Sequence, residues 1–259
     1  MSLVLKSCVS VVKQLQWHQN LVQQWPIELR STYCLVILKA IGQTLTAERQ
    51  GCISADATVK QLCQAVGCAT GLGNIATDIL QASAAWEQGD VMSQMLDQQA
   101  HCRSQEEEVV CTLSNSVVRL HLDAVKAVVM AGIDNTQWHS SRKPLTWPDA
   151  PGHAVRLWRQ MLQSLKEALL SNCPAVVAQD VLGRALLEGL QSVNLRYSQL
   201  QPSEQWQARL TADKWHITET CQLLSQPSGG VYRLAPDVVA AIHGAGCQLI
   251  KPEEFVSRT

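Results

Sequence analysis

The chain has 259 residues, 46% of them hydrophobic, enough to bury a sizeable core in one large domain or two smaller ones and to exclude global disorder. A net charge of −1 with Arg142-Lys143 as the sole adjacent basic pair excludes a nucleic-acid binder with a basic footprint. Charged residues make up only 17%, below the ~25% usual in soluble domains, which favours a piece of a larger assembly over a free monomer.

Taken in order, Leu3 to Trp25 reads as a helix. Val4, Val11, His18 and Trp25 fall seven apart, with Cys8, Leu15 and Val22 between them, a short heptad-like seam. His18 on that seam is expected to be a core histidine. The helix opens almost at Met1 without a leader or cap-rich lead-in, the pattern of a fragment or short form of a longer chain. No secretory signal is read, because Lys6 and Gln14 interrupt any apolar region.

Pro26 starts the next helix, to about Glu48, burying Tyr33, Cys34, Ile37, Leu38, Ile41 and Leu45. The apolar run Tyr33–Ile41 contains Lys39 and is far shorter than the ~20 residues of a membrane-spanning helix. Gly51 to Ala55 make a turn, and Asp56 caps a third helix with Val59, Leu62, Cys63 and Val66 inward. Gly71-x-Gly73-x-x-Ala76 formally matches a dinucleotide fingerprint. That motif needs a preceding strand, and Val59 to Val66 have helical spacing. The stretch is expected instead to let two helices approach closely or to break one. Ile75, Ile79, Ala82 and Trp86 resume the helix, which ends at Gly89.

A short helix is predicted from Asp90 to about Ala100. Ser104-Gln-Glu-Glu107 then reads as a capping box opening another, with Val110, Leu113, Val117, Leu120, Ala124, Val128 and Ala131 inward and a stop at Gly132. His101-Cys102 with Cys111 is the nearest approach to a metal set, but the spacing is awkward and further ligands must come from elsewhere, so no metal or other cofactor is expected. The ten cysteines are scattered. Cys8, Cys63, Cys111 and Cys221 sit in apolar stripes, as reduced, buried thiols of a cytoplasmic protein do.

Residues 132–152 hold Pro144, Pro148 and Pro151 and form the expected connector between an N-terminal helical bundle, 1–131, and a C-terminal one, 153–259. Trp138 and Trp147 imply that the connector packs onto something. Val155, Trp158, Leu162, Leu165 and Leu169 define the next helix. After Pro174, Ala178, Leu182, Ala185, Leu186, Gly189, Leu190, Val193 and Tyr197 share one helical face. Pro202 closes that segment and Ser203 caps a new helix with a stripe at Trp206, Leu210, Ile217, Cys221 and Leu224. Asp213 falls on this stripe. Either it is buried and paired, with Arg196 and Tyr197 the nearest candidates, or the stripe rotates and leaves it wet. Trp215, opposite the stripe, is either an exposed anchor for a partner or packs against a third helix. Pro227-Ser-Gly-Gly230 is a loop, and Pro236 opens a last helix to Gly244. Val231–Leu234 and Cys247–Ile250 are weak strand candidates, and the tail through Phe255 is loosely held.

The corner Arg196-Tyr-Ser-Gln-Leu-Gln-Pro-Ser203, with Gln207 to Asp213 after it, resembles a stretch of the coiled-coil domain-containing protein 142 family. That family is similar to the helical C-terminal regions of vesicle-tethering subunits. The chain departs from the family pattern at Glu204 and Gln205, where a basic residue stands, and at Lys214, where isoleucine follows the aspartate. The resemblance covers about a quarter of the chain. It implies helical protein partners, a place peripheral to endomembranes, and no catalytic residue. The expected fold is all-α, stacked antiparallel helical bundles of elongated form. The expected function is a non-enzymatic interaction module, tether-like. The alternatives are an adaptor unrelated to trafficking, or an enzyme whose residues converge only in space.

Overall fold

The computed structural model describes residues 26–51, 58–84, 89–140, 150–225, 234 and 236–249. The expectations for Leu3–Trp25 and its seam, Cys52–Ala55, Asp56, Trp86, Pro144, Trp147, Pro148, Pro227–Gly230, Val231–Arg233 and the tail fall outside these residues. The regular elements are all helical, so the chain is all-α, with no strand among the described residues. They are α1 (Ile27–Gly51), α2 (Val59–Ser83), α3 (Asp90–Ala124), a π-helical segment (Val125–Met130), α4 (Ala131–Asp134), α5 (His153–Asn172), α6 (Ala175–Ser198), α7 (Glu204–Ser225) and α8 (Pro236–Leu249). Cys247–Leu249, a weak strand candidate by sequence, is the end of α8.

The described residues divide into two units. One runs to Ser116 and adds the turn Asn172–Pro174; the other takes Val117–Ser171 and the chain from Ala175 onward. Of the stretch 132–152 read as a connector, residues 132–140 and 150–152 cluster with the second.

In the first unit α1 buries Cys34, Leu38, Ile41 and Leu45, each core leucine contributing about 2 kcal/mol by burial alone. The Cys102 thiol donates to the Leu38 carbonyl oxygen at 3.1 Å, and Thr46 donates to Gln105 Oε1 at 3.3 Å, so α1 and α3 run in the same direction. Gln99 reaches Thr77 at 3.4 Å while Glu106 lies over Gly73, so α2 runs antiparallel to α3. Three helices thus alternate in direction.

The start of α2 corrects the sequence reading. Thr58, not Asp56, is the N-cap: its hydroxyl accepts from the Gln61 N–H at 3.3 Å, and Gln61 Oε1 accepts from the Thr58 N–H at 2.9 Å. The helix then passes unbroken through Gly67, Gly71 and Gly73 to Ser83. The fingerprint glycines are therefore mid-helix. Their N–H groups belong to the helical ladder and cannot cradle a phosphate. Gly89 opens the next helix instead of closing this one: it takes φ +81°, and its carbonyl oxygen accepts from the Ser93 N–H at 3.2 Å.

From Asp90 the chain is helical without interruption to Asp134. The predicted break near Ala100 does not occur. Ser104 and Glu107 are exposed residues of a continuing helix, since no proline or glycine interrupts the chain between Asp90 and Ala131. Buried positions begin at heptad spacing with Met95, Cys102 and Val109. From there they recur every fourth residue: Val109, Leu113, Val117, His121, Val125, Val129, Ile133. A strict four-residue repeat drifts around a 3.6-residue helix by about 40° per step. The π-helical turns at Val125–Met130 are wider and absorb part of that drift, so Val125, Val129 and Ile133 keep facing inward. Val128 and Ala131, expected inward, are exposed for the same reason.

In the second unit α5 buries Val155, Trp158, Leu162, Leu165 and Leu169, and α6 buries all eight positions expected of it. Val238 and Leu234 lie against Gly183, and the Asn194 side-chain amide donates to the Ala245 carbonyl oxygen at 2.7 Å, so α8 lies along α6 in the same direction.

Candidate functional site

A buried polar cluster forms around the α6–α7 corner of the second unit. Asp213 is only 3% exposed. Asp213 lies seven positions after Trp206, which places both on nearly one side of α7. One carboxylate oxygen accepts the Gly152 N–H at 2.6 Å and faces Arg209 Nε at 3.4 Å; the other accepts the Tyr197 hydroxyl at 3.2 Å. Burial pushes the Asp213 carboxyl above the usual carboxylate range. The Gly152 N–H, the Arg209 guanidinium, the Tyr197 hydroxyl and His216 work against that rise. Burial, and then the Asp213 charge, hold Tyr197 well above the usual phenol range, so it keeps its proton and donates it. Arg209 is itself 7% exposed, and the pair is therefore a buried one.

The other corner residues have separate tasks. Arg196 does not reach Asp213. It turns outward, its Nε to the Asp134 carboxylate and its Nη1 to Gln199 Oε1 at 3.0 Å. Pro202 is half-buried, and the Gln207 side-chain amide donates to its carbonyl oxygen at 3.4 Å. Ser203 begins the turn into α7, its carbonyl oxygen accepting the Trp206 N–H at 2.8 Å. Its hydroxyl donates to the Ser140 carbonyl oxygen at 2.8 Å and its N–H to the Trp138 carbonyl oxygen at 2.8 Å. Trp138 is buried, edge-on to Tyr197 at 6.1 Å and to Trp206 at 5.7 Å, and its indole N–H donates to the Ile133 carbonyl oxygen at 2.8 Å.

The corner thus gathers four separate stretches: 133–140, Gly152, the end of α6 and the first half of α7. Both carboxylate oxygens, the phenol and the guanidinium are committed to one another inside the unit. The arrangement fixes the angle between α6 and α7. Trp215 stands apart from it, 39% exposed, with its ring edge-on to the His216 ring at 4.9 Å.

Two members of this cluster escaped the sequence reading. Arg209 carries a usable signal, since Arg209-x-x-x-Asp213 places opposite charges on one helical face. Gly152 carries none, because its contribution is a backbone N–H brought from 61 residues away. Elsewhere, His101 and Cys111 are exposed, while Cys102 is buried and turned to Leu38, so the three do not converge.

No curated protein and no solved structure matches the chain. The family described as a domain of unknown function (DUF4495) matches residues 39–226, which take in α2 through α7 with the whole corner, and the chain belongs to that family.

Proposed function

We propose that the chain is a non-enzymatic helical interaction module, in which the buried corner holds helices rigid and outward helix faces take partner helices. One observation carries this reading: apolar side chains stand exposed at helical spacing. Leu29 and Val36 are one heptad apart on α1, and Trp215 and Leu223 are two turns apart on α7. Pairs at such spacing suit an amphipathic partner helix, and binding energy there comes from apolar burial. The resemblance of the Arg196–Ser203 corner to the coiled-coil domain-containing protein 142 family supports a tethering role at endomembranes. The low charge supports membership of an assembly.

The test is affinity capture of the tagged full chain from lysate, beside Leu29→Ser/Val36→Ser and Trp215→Ser chains that melt like the wild type. The expected result is a set of helical proteins that either variant depletes about tenfold, in line with an interface residue worth over 1 kcal/mol. Tether subunits in that set support trafficking; a coherent unrelated set identifies an adaptor. An empty capture, or one that neither variant changes, overturns the reading. A rise in melting temperature with added nucleotide would favour the enzyme alternative.

A further inference from the structure

We propose that Cys63 and Cys173 form a reversible disulfide that fastens the turn Asn172–Pro174 onto helix α2. Cys63 is fully buried on α2; Cys173, in the turn that follows α5, is half-buried and within reach of a small oxidant. The Cys173 thiol donates to the Cys63 carbonyl oxygen at 3.4 Å. One helical turn further along α2, the Asn172 carbonyl oxygen lies 1.9 Å from where a Cβ on Gly67 would stand. The turn therefore meets the α2 backbone at two successive levels, through the Cys173 thiol at the first and backbone on backbone at Gly67, where glycine makes the approach possible. Packed helices keep their axes about 8–10 Å apart, whereas a disulfide spans Cα atoms about 4.4–6.8 Å apart. Contact of the Asn172 backbone with that of Gly67, one turn from Cys63, is closer than helix-on-helix packing and favours that shorter range. The residues of the turn serve no part of the α6–α7 corner, and the inference is independent of the proposed interaction role.

The Cys173 proton points to the Cys63 carbonyl oxygen, which sets the Cys173 sulfur over the Cys63 backbone. The neighbouring Cys63 thiol, and then burial, raise Cys173, while the neighbouring Cys173 thiol lowers Cys63. Exposure sets the order of steps with a small disulfide oxidant such as oxidised glutathione, because Cys173 is half-buried and Cys63 fully buried. The half-buried Cys173 loses its proton to solvent and attacks one glutathione sulfur. The glutathione S–S bond breaks and the first glutathione leaves as a thiolate. Cys63 beside it then loses its proton, attacks the Cys173 sulfur as a thiolate and expels the second glutathione. Two protein thiols become one disulfide, and one glutathione disulfide becomes two thiols.

The test uses the full chain equilibrated across ratios of reduced to oxidised glutathione. Free thiols are then alkylated, and the unreduced digest is mapped by mass spectrometry. The expected result is a peptide pair joined through Cys63 and Cys173 that grows with the oxidised fraction and vanishes on reduction. Cys63→Ala should instead leave Cys173 carrying a glutathione that no partner displaces. Because the cross-link closes a span of 110 residues, the oxidised chain should melt about 10 °C higher than the reduced chain. Recovery of both cysteines as alkylated monothiols at every ratio overturns the proposal, as does pairing of either with a different cysteine. A joined pair with an unchanged melting temperature overturns the fastening.

Discussion

At the scale of single residues, a few buried polar groups set the balance. Asp213→Asn keeps the shape but removes the charge that compensates the Arg209 guanidinium, which is itself buried. Breaking a buried pair from one side costs about 3 kcal/mol, so the melting temperature should fall by roughly 6–12 °C. Tyr197→Phe removes a single donor and should cost about 1–2 kcal/mol. An Asp213→Leu/Arg209→Met chain should recover most of the loss, since replacing both charges removes the desolvation penalty on each side. Additive losses in that double variant would show that the pair is not coupled.

His121 behaves differently. It is 4% exposed, its Nε2 has no hydrogen-bond partner among the described residues, and burial lowers its pKa to about 4. The folded chain therefore holds this ring neutral while the unfolded chain binds a proton near the ordinary value of about 6.5. Stability from this group is complete above pH 6.5 and is lost as pH falls toward 4, by about 3 kcal/mol. Chemical denaturation from pH 7 to 4 should show that loss in the wild type, and the slope should flatten in His121→Leu.

At the scale of elements, α2 offers three glycines with three different surroundings. A Cβ at Gly67 meets the Asn172 backbone oxygen at 1.9 Å, and backbone cannot step aside cheaply. Gly67→Ala should cost at least about 2 kcal/mol, in the range of overpacking strain. At Gly71 nothing lies within 4 Å, so Gly71→Ala should add about 0.5–1 kcal/mol through helix propensity. At Gly73 the obstacle is the movable end of Glu106, and the effect should fall between these. Thermal melts of the three variants rank them directly. The π-helical segment makes a second prediction. Its wider turns hold about one residue more than an α-helix needs. Deleting the exposed Ala127 should let Val125–Met130 close to ordinary helix and leave the chain folded. Deleting the exposed Glu188 of α6, a helix with no such slack, rotates every later position of that helix by about 100° and should unfold the second unit, as circular dichroism would report.

Legibility in the sequence followed the regularity of each element. The stripes of α5 and α6 could be read residue by residue, because their apolar positions keep a 3.6-residue period from end to end. The second half of the long helix could not. Its inward set, His121-Val125-Val129-Ile133, obeys a four-residue period that only a local widening sustains. Periodicity projected from Leu113 at the ordinary pitch lands on Leu120, Ala124 and Val128 instead. Ser104 to Glu107 has the composition of a helix start, yet composition alone cannot end the helix before it. At the corner, Tyr197 and Asp213 could be paired on paper because one short reversal joins their helices. The Asp134 partner of Arg196 and the Ser140 partner of Ser203 lie over sixty positions away, beyond any local signal.

At the scale of the whole molecule, the first unit is discontinuous in sequence: residues up to Ser116 are completed by Asn172–Pro174. Such a unit cannot finish packing in the order in which a ribosome delivers it. When Ser116 leaves the exit tunnel, the Gly67 face of α2 has yet to meet its covering backbone, and it waits while more than fifty further residues are made. Synthesis at about 5–20 residues per second makes this wait a matter of seconds, long against helix formation. Chains stalled on the ribosome before Asn172 has emerged should expose α2 around Cys63 to thiol-specific labelling, and chains stalled well beyond Pro174 should not.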